Sequence, residues 1–186
     1  MFQLSTVARA LALAGSVALA GAAQAELVTN GGFETGNFSG WTSFGNTGFQ
    51  SVSGGRAVNT GSFGAYFGAV GSPGGIFQTL ATTAGSTYIV SFWLGIDSGT
   101  PNSMTFNWNG GADELSFLNA AGQGLTRYTF LLTATSAATD LRFNIQHNPA
   151  FYFIDNISVN IPEPGSLALA GLALAGLALV SRRKQA

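Results

Sequence analysis

Thr87-Tyr88-Ile89-Val90-Ser91-Phe92-Trp93-Leu94 alternates along its whole length. Tyr88, Val90, Phe92 and Leu94 fall on one side; Thr87, Ile89, Ser91 and Trp93 fall on the other. Successive side chains leave opposite faces of a β-strand, so a period of two marks a strand with one buried face. The pattern returns in Met104, Phe106 and Trp108, in Tyr128, Phe130 and Leu132, and in Leu141, Phe143 and Ile145. Phe151, Phe153, Ile157 and Val159 close the series. Turn chemistry separates the runs: Asp97-Ser98-Gly99-Thr100-Pro101-Asn102 forms a loop, and Asn109-Gly110-Gly111 is a hairpin signal. No helical period interrupts them. Eight or nine strands at this spacing predict an all-β, antiparallel sandwich.

Composition narrows the function classes. Between residues 26 and 161 the basic residues are Arg56, Arg127 and Arg142, against Glu26, Glu34, Asp97, Asp113, Glu114, Asp140 and Asp155. Three positive charges against seven negative leave −4. Nucleic acid needs clustered positive charge, so it is excluded as a partner. The chain has no cysteine. Thiol nucleophiles, zinc–thiolate sites and iron–sulfur clusters are therefore excluded, and stability must come from packing or from a metal. The 26 glycines would fit a disordered chain, but an aromatic content of 12% argues for a core.

Both ends read as sorting elements. Leu11 to Ala20 is a short apolar run, and Ala23-Gln24-Ala25 has the small-x-small pattern of a signal-peptidase site. Cleavage after Ala25 would make residues 1–25 a signal peptide. At the other end, Pro162-Glu163-Pro164 precedes a run of Ala, Leu, Gly and Val from Leu167 to Val180, then Arg182-Arg183-Lys184. Fourteen residues at about 1.5 Å each make a helix of about 21 Å. That falls short of the roughly 30 Å hydrocarbon core unless flanking residues snorkel. The basic cluster would stay cytoplasmic and the preceding domain would lie outside. A glutamate between two prolines sits on a stiff extended segment that cannot join the helix.

This ending resembles the PEP-CTERM sorting domain of Gram-negative bacteria, over residues 161–186. The resemblance implies an exosortase as partner beside signal peptidase, transient anchorage in the inner membrane, and a link to exopolysaccharide. The final location would be the cell envelope, the cell surface or the extracellular matrix. Pro162, Glu163, Pro164, Arg182, Arg183 and Lys184 would form the processing signal.

The segment between the ends, 26–160, has a resemblance of its own. Leu-Val-Thr-Asn-Gly-Gly-Phe-Glu-Thr-Gly-Asn-Phe-Ser-Gly-Trp (27–41) and Phe-Tyr-Phe-Ile-Asp-Asn-Ile-Ser-Val (151–159) are similar to the galactose-binding-like jelly roll of many carbohydrate-binding modules. The resemblance implies that first and last strands lie side by side with a structural calcium between them, held by Glu34 and Asp155. The register agrees in part. Period two places Asp155 with Phe151, Phe153, Ile157 and Val159 on the apolar face. A carboxylate there must be paired, metal-bound or hydrogen-bonded at the sheet edge.

Catalytic chemistry finds little support. His147, the one histidine, ends the inward set Leu141, Phe143 and Ile145 and reads as a satisfied sheet-edge residue. Asp113 and Glu114 are adjacent, so a strand sends them to opposite faces, which disfavours paired acid–base work. Ligand binding has more to stand on. Arg142, Asn144 and Gln146 face outward together, and Trp93 faces outward on its own strand. An exposed aromatic plate beside amide and guanidinium donors suits a sugar. Solvent-facing polar residues with Trp93 packed under a loop would give the same pattern. The expectation is an exported, non-enzymatic protein, either a structural component associated with exopolysaccharide or a carbohydrate-binding module with a discrete glycan ligand.

Overall fold

Alternation becomes two facing sheets. The computed structural model describes residues 26–148 and 150–162. The signal peptide with Ala23 and Ala25, and the tail with Glu163, Pro164, the Leu167–Val180 run and Arg182, Arg183 and Lys184, lie outside them. Among the described residues there are ten strands and no helix: β1 (Thr42–Gly45), β2 (Gln50–Ser53), β3 (Gly64–Phe67), β4 (Gly74–Ala81), β5 (Thr87–Ile96), β6 (Asn102–Trp108), β7 (Asp113–Leu118), β8 (Gln123–Thr133), β9 (Ala138–His147) and β10 (Tyr152–Asn160). The count exceeds the expected eight or nine because β1, β2 and β3 have four residues each, too few to display a period. One sheet runs β1-β4-β9-β6-β7 and the other β2-β3-β10-β5-β8. Every pairing is antiparallel. The architecture is the jelly-roll sandwich that the sequence predicts.

The inward sets named from sequence meet between the sheets. Phe92 of β5 packs its ring against Phe143 of β9 at 4.9 Å and Phe106 of β6 at 5.1 Å, both near perpendicular. All three are fully buried. Edge-to-face contact sets the positive rim of one ring on the negative face of the next. Truncating any of them to alanine would cost about 3–5 kcal/mol.

The resemblance implies that first and last strands pair; instead β1 lies in the other sheet from β10, and it is the strandless segment 27–31 that lies beside β10. The Leu27 amide donates to the Val159 carbonyl at 3.1 Å, and the Ile157 amide to the Gly31 carbonyl at 2.9 Å. A Cβ at Gly31 would collide with the Ile157 carbonyl oxygen, so only glycine allows that approach. The Glu26 carboxylate accepts from the Val159 amide at 2.7 Å and the Ser158 hydroxyl at 2.6 Å.

Candidate functional site

Pairing carries two rows of outward positions across the first sheet, continuous from β1 to β6 and stepping over a bulge between β6 and β7. Thr42, Phe77, Arg142, Asn107 and Asp113 stand in register from β1 through β4, β9 and β6 to β7. Phe44, Gly75, Asn144, Thr105 and Ser116 form the next row. Five strands about 4.8 Å apart make each row about 19 Å long. Gln146 lies one step further along β9, opposite Ser103. Arg142, Asn144 and Gln146 therefore share one face, as the sequence predicts.

Arg142 is the centre of this face. Its guanidinium carbon sits 3.6 Å from the centroid of Phe44 and 5.3 Å from that of Phe77. A cation over an aromatic face is held by the ring quadrupole, and stacking leaves the in-plane N–H edges free to donate. The described residues contain one salt bridge, between Arg56 and Asp97, so no carboxylate among them neutralises Arg142. Gly75 makes the stacking possible. A Cβ there would collide with the Phe143 carbonyl oxygen and come within 3.2 Å of the Phe44 ring, so glycine lets that ring lie across β4.

Next to Arg142 is a cavity of about 410 Å³ lined by Thr105, Asn107, Gly110, Asp113, Arg142 and Asn144. Asn107 is 9% exposed, and its Nδ2 donates to the carbonyls of Gly111 at 2.6 Å and Ala112 at 3.0 Å. Those bonds tie it to the β6–β7 turn, where Asn109 and Gly110 take positive φ of 66° and 70°, the geometry of a tight hairpin turn. Its Oδ1 is buried with no hydrogen-bond partner. An orphaned acceptor costs about 1–3 kcal/mol unless a ligand supplies the proton.

Trp93 does not join them. It lies on β5, in the second sheet, paired with Arg127 on one side and Asp155 on the other. Outward residues of two packed sheets point in opposite directions, so Trp93 is separated from Arg142 by the full thickness of the core. The sequence shows that a residue faces out without showing from which sheet. Phe44 and Phe77 were missed for the opposite reason. Phe77 alternates with Ile76 and Gln78 in a glycine-led strand, and Phe44 sits in a strand too short to carry a period.

Asp155 is buried on a different face from the one its register predicts. Pairing runs Asp155↔Trp93 and resumes at Ser158↔Ser91, so β10 carries one extra residue at this point. Asn156 takes a φ of 48° there. A bulge inverts the alternation. Tyr152 and Ile154 face the core before it, Ile157 and Val159 after it, and Phe153 and Asp155 face outward. Asp155 is nonetheless fully buried, under the loop before β3. Its Oδ2 accepts from the amides of Asn59 at 2.7 Å and Thr60 at 3.3 Å, and its Oδ1 from the Asn156 amide at 2.7 Å. Burial pushes this carboxyl above its ordinary value of 3.8; the amides of Asn59, Asn156 and Thr60 pull it down, and the charge of Glu34 pushes it further up.

Glu34 and Asp155 do come together. A Cβ on Gly32 would lie 3.8 Å from Glu34 Cγ and 4.0 Å from Asp155 Oδ1. Glu34 accepts from the amides of Ser62 and Phe63 at 3.0 Å. Asn156 Oδ1 and the Thr60 hydroxyl are 3.0 Å apart beside them. Two carboxylates with amide and hydroxyl oxygens fit a hard cation such as calcium. No three His, Cys, Asp or Glu side chains cluster among the described residues, so Asn156, Thr60, backbone or water oxygens would have to complete the shell.

His147 is fully buried at the end of β9, in the middle of its sheet, opposite Asn102. Its Nδ1 accepts from the Ala150 amide at 3.3 Å, so its Nε2 carries a proton and donates to the Asp97 carbonyl at 2.9 Å. Both ring nitrogens are thereby engaged, as expected of a satisfied residue, although its strand is central and not an edge.

Residues 25–150 match the family model described as carbohydrate binding domain. The chain belongs to this family. Residues 160–184 match the PEP-CTERM protein-sorting motif. The fold also resembles solved structures at low identity. TmCBM61, solved with beta-1,4-galactotriose, is 19% identical with a TM-score of 0.59, over 74% of this chain and 99% of that one. The CBM22-1 xylan-binding domain from Paenibacillus barcinonensis Xyn10C is 15% identical with a TM-score of 0.52, over 76% and 97%. Part of tailspike protein 4 from bacteriophage CBA120 is 17% identical with a TM-score of 0.56, over 74% of this chain and 21% of that one. No curated protein matches the chain. A carbohydrate-binding domain with a sorting motif behind it makes an exported, envelope-associated protein.

Proposed function

We propose that this chain is a non-enzymatic glycan-binding protein of a Gram-negative envelope, whose polysaccharide ligand lies along the outer face of the first sheet. One observation carries the reading: the aromatic, guanidinium and amide side chains of Phe44, Phe77, Arg142, Asn144 and Asn107 adjoin across β1, β4, β9 and β6, and Asn107 Oδ1 among them is unsatisfied. A sugar chain offers what this face lacks, hydroxyl protons for the acceptor and apolar ring faces for Phe44 and Phe77. Membership of a carbohydrate-binding family supports it. So do the β-1,4-galactotriose and xylan ligands of the fold's relatives.

Of the two expectations drawn from sequence, the module with a discrete ligand fits this face better than a purely structural component. A matrix of exopolysaccharide would be the natural ligand. In this reading signal peptidase cuts after Ala25, the tail holds the protein at the inner membrane, and an exosortase acts at Pro162-Glu163-Pro164. A calcium ion shared by Glu34 and Asp155 would stabilise the fold without touching the ligand.

Affinity electrophoresis of the purified protein through gels containing soluble polysaccharides tests the binding face. Retardation by a polysaccharide, removed by Phe77→Ala together with Asn107→Ala, is the expected result. Unretarded migration with every polysaccharide would leave only the structural reading. The mass of the mature protein in cells with and without exosortase tests the sorting arm, and identical masses would remove the exosortase from the scheme.

A further inference from the structure

We propose that the ligand is an acidic polysaccharide, with a uronate carboxylate on Arg142 and a hydroxyl of the same sugar unit donating to Asn107 Oδ1. The inference rests on the glycan-binding reading and specifies the chemical class of its ligand. Its basis is a pair of unmet requirements in adjoining positions. Arg142 and Asn107 are register partners on β9 and β6 and line the same cavity. The first is a cation with no carboxylate partner among the described residues; the second is an acceptor, nine-tenths buried, with no donor.

Phe44 fixes the plane of the guanidinium, so its N–H groups present a preset fork. A carboxylate is the planar two-oxygen group that meets such a fork with two parallel hydrogen bonds. A neutral sugar offers single hydroxyl or ring oxygens and would use the fork only in part. Asn107 needs the reverse chemistry, a donor. A uronic acid carries carboxylate and hydroxyl groups on one ring and can serve both residues at once.

Two carboxylates share the face and sharpen the selectivity. Asp140 Oδ1 already accepts from the Thr79 hydroxyl at 2.6 Å. Asp113 is exposed on β7, on the side of Asn107 away from Arg142. A bare anion gains Arg142 and is repelled by Asp113, whereas a uronate can turn hydroxyl donors toward that aspartate. The domain's negative balance elsewhere is largely screened, since the Debye length is about 8 Å at physiological ionic strength.

The test is titration of the full chain with short oligomers of guluronate, mannuronate and galacturonate, each against its carboxyl-reduced neutral counterpart, with acetate as a bare anion. At least one uronate oligomer should bind about tenfold or more tightly than its reduced form, and acetate should not compete. Arg142→Gln should erase that difference while leaving weak binding of the neutral oligomer; Arg142→Lys should restore part of it. Arg127→Gln, on the opposite sheet, should change nothing. Equal binding of acid and reduced forms, or an acid preference that survives Arg142→Gln, overturns the proposal while leaving glycan binding intact. Binding of neither form, while other polysaccharides are retained, overturns it as well. Absence of binding to every glycan removes both readings together.

Discussion

The two outer faces of this sandwich are made from the same kind of strand and are built in opposite ways. On the first sheet, pairing between β4, β9 and β6 runs without interruption, and outward side chains form straight rows across these central strands. On the second, β10 carries a bulge and a loop closes over it, so the outward residue Asp155 ends up fully buried. Unbroken register makes an open platform; a broken register under a loop makes a closed polar knot. The first suits a changing partner, and the second holds together the two ends of the domain.

If that division is right, Asp155→Ala should be the most damaging change outside the core and should leave glycan affinity alone. It strands the amides of Asn59, Thr60 and Asn156 and releases the loop they anchor. Leaving buried amide donors without their acceptor costs about 1–3 kcal/mol each, readable by urea titration. A variant that unfolds at unchanged denaturant would show that the knot is not structural. A stable variant with lost affinity would show that the faces are coupled.

A smaller effect comes from the charge on Asp155. Its folded-state pKa lies above the unfolded value of 3.8, so the folded protein holds the proton more tightly than the unfolded chain does. Stability must then fall as pH rises from about 3.8 through the folded pKa, and stay level beyond it. In chelator, the thermal midpoint of the wild type relative to Asp155→Asn should drop across that window. Calcium should offset the drop, because a bound cation compensates the negative charge that burial and Glu34 disfavour. At a hundredfold excess over its dissociation constant calcium would add about 2.7 kcal/mol. A midpoint insensitive to both chelator and calcium would leave the hydrogen bonds as the whole explanation of the site.

The sequence made the inward faces legible because burial enforces alternation over long strands. Phe92, Phe106 and Phe143 were placed in the core by period alone. The outward set Arg142, Asn144 and Gln146 followed from the same count. Three things stayed hidden for physical reasons. A strand of four residues, such as the one holding Phe44, is shorter than the window a period needs. A bulge at Asn156 reverses the count with a residue type that takes positive φ readily but does not announce it. Sheet membership, which separated Trp93 from Arg142, is decided by long-range pairing that no local pattern contains. Asn107 was the most costly omission: its missing hydrogen bond exists only once the turn after β6 has taken both of its amide protons.

Phe77→Ala should weaken glycan binding by about 0.5–1.5 kcal/mol, the usual worth of an aromatic contact beyond its area. Its folding stability should change less than that of Phe92→Ala, since Phe77 is only half-buried. Calorimetric titration against the retained polysaccharide reads the first quantity and thermal denaturation the second. Equal losses in both would make Phe77 a packing residue and move the ligand off the centre of the sheet.

The smallest expected effect is the most discriminating. Trp93 has the large indole plate that sugar sites favour, and by residue type alone it is the best single choice for a binding residue in the domain. Its position argues otherwise. It is half-buried between Arg127 and Asp155, on the sheet where a loop closes over Asp155. Trp93→Ala should therefore leave glycan affinity within error of wild type while lowering stability modestly through lost packing over Asp155. Phe77, with a smaller ring, should matter more for binding because register sets it beside Arg142 on the open face. If Trp93→Ala abolishes binding and Phe77→Ala does not, the ligand belongs to the second sheet, and the assignment of platform and knot must be exchanged.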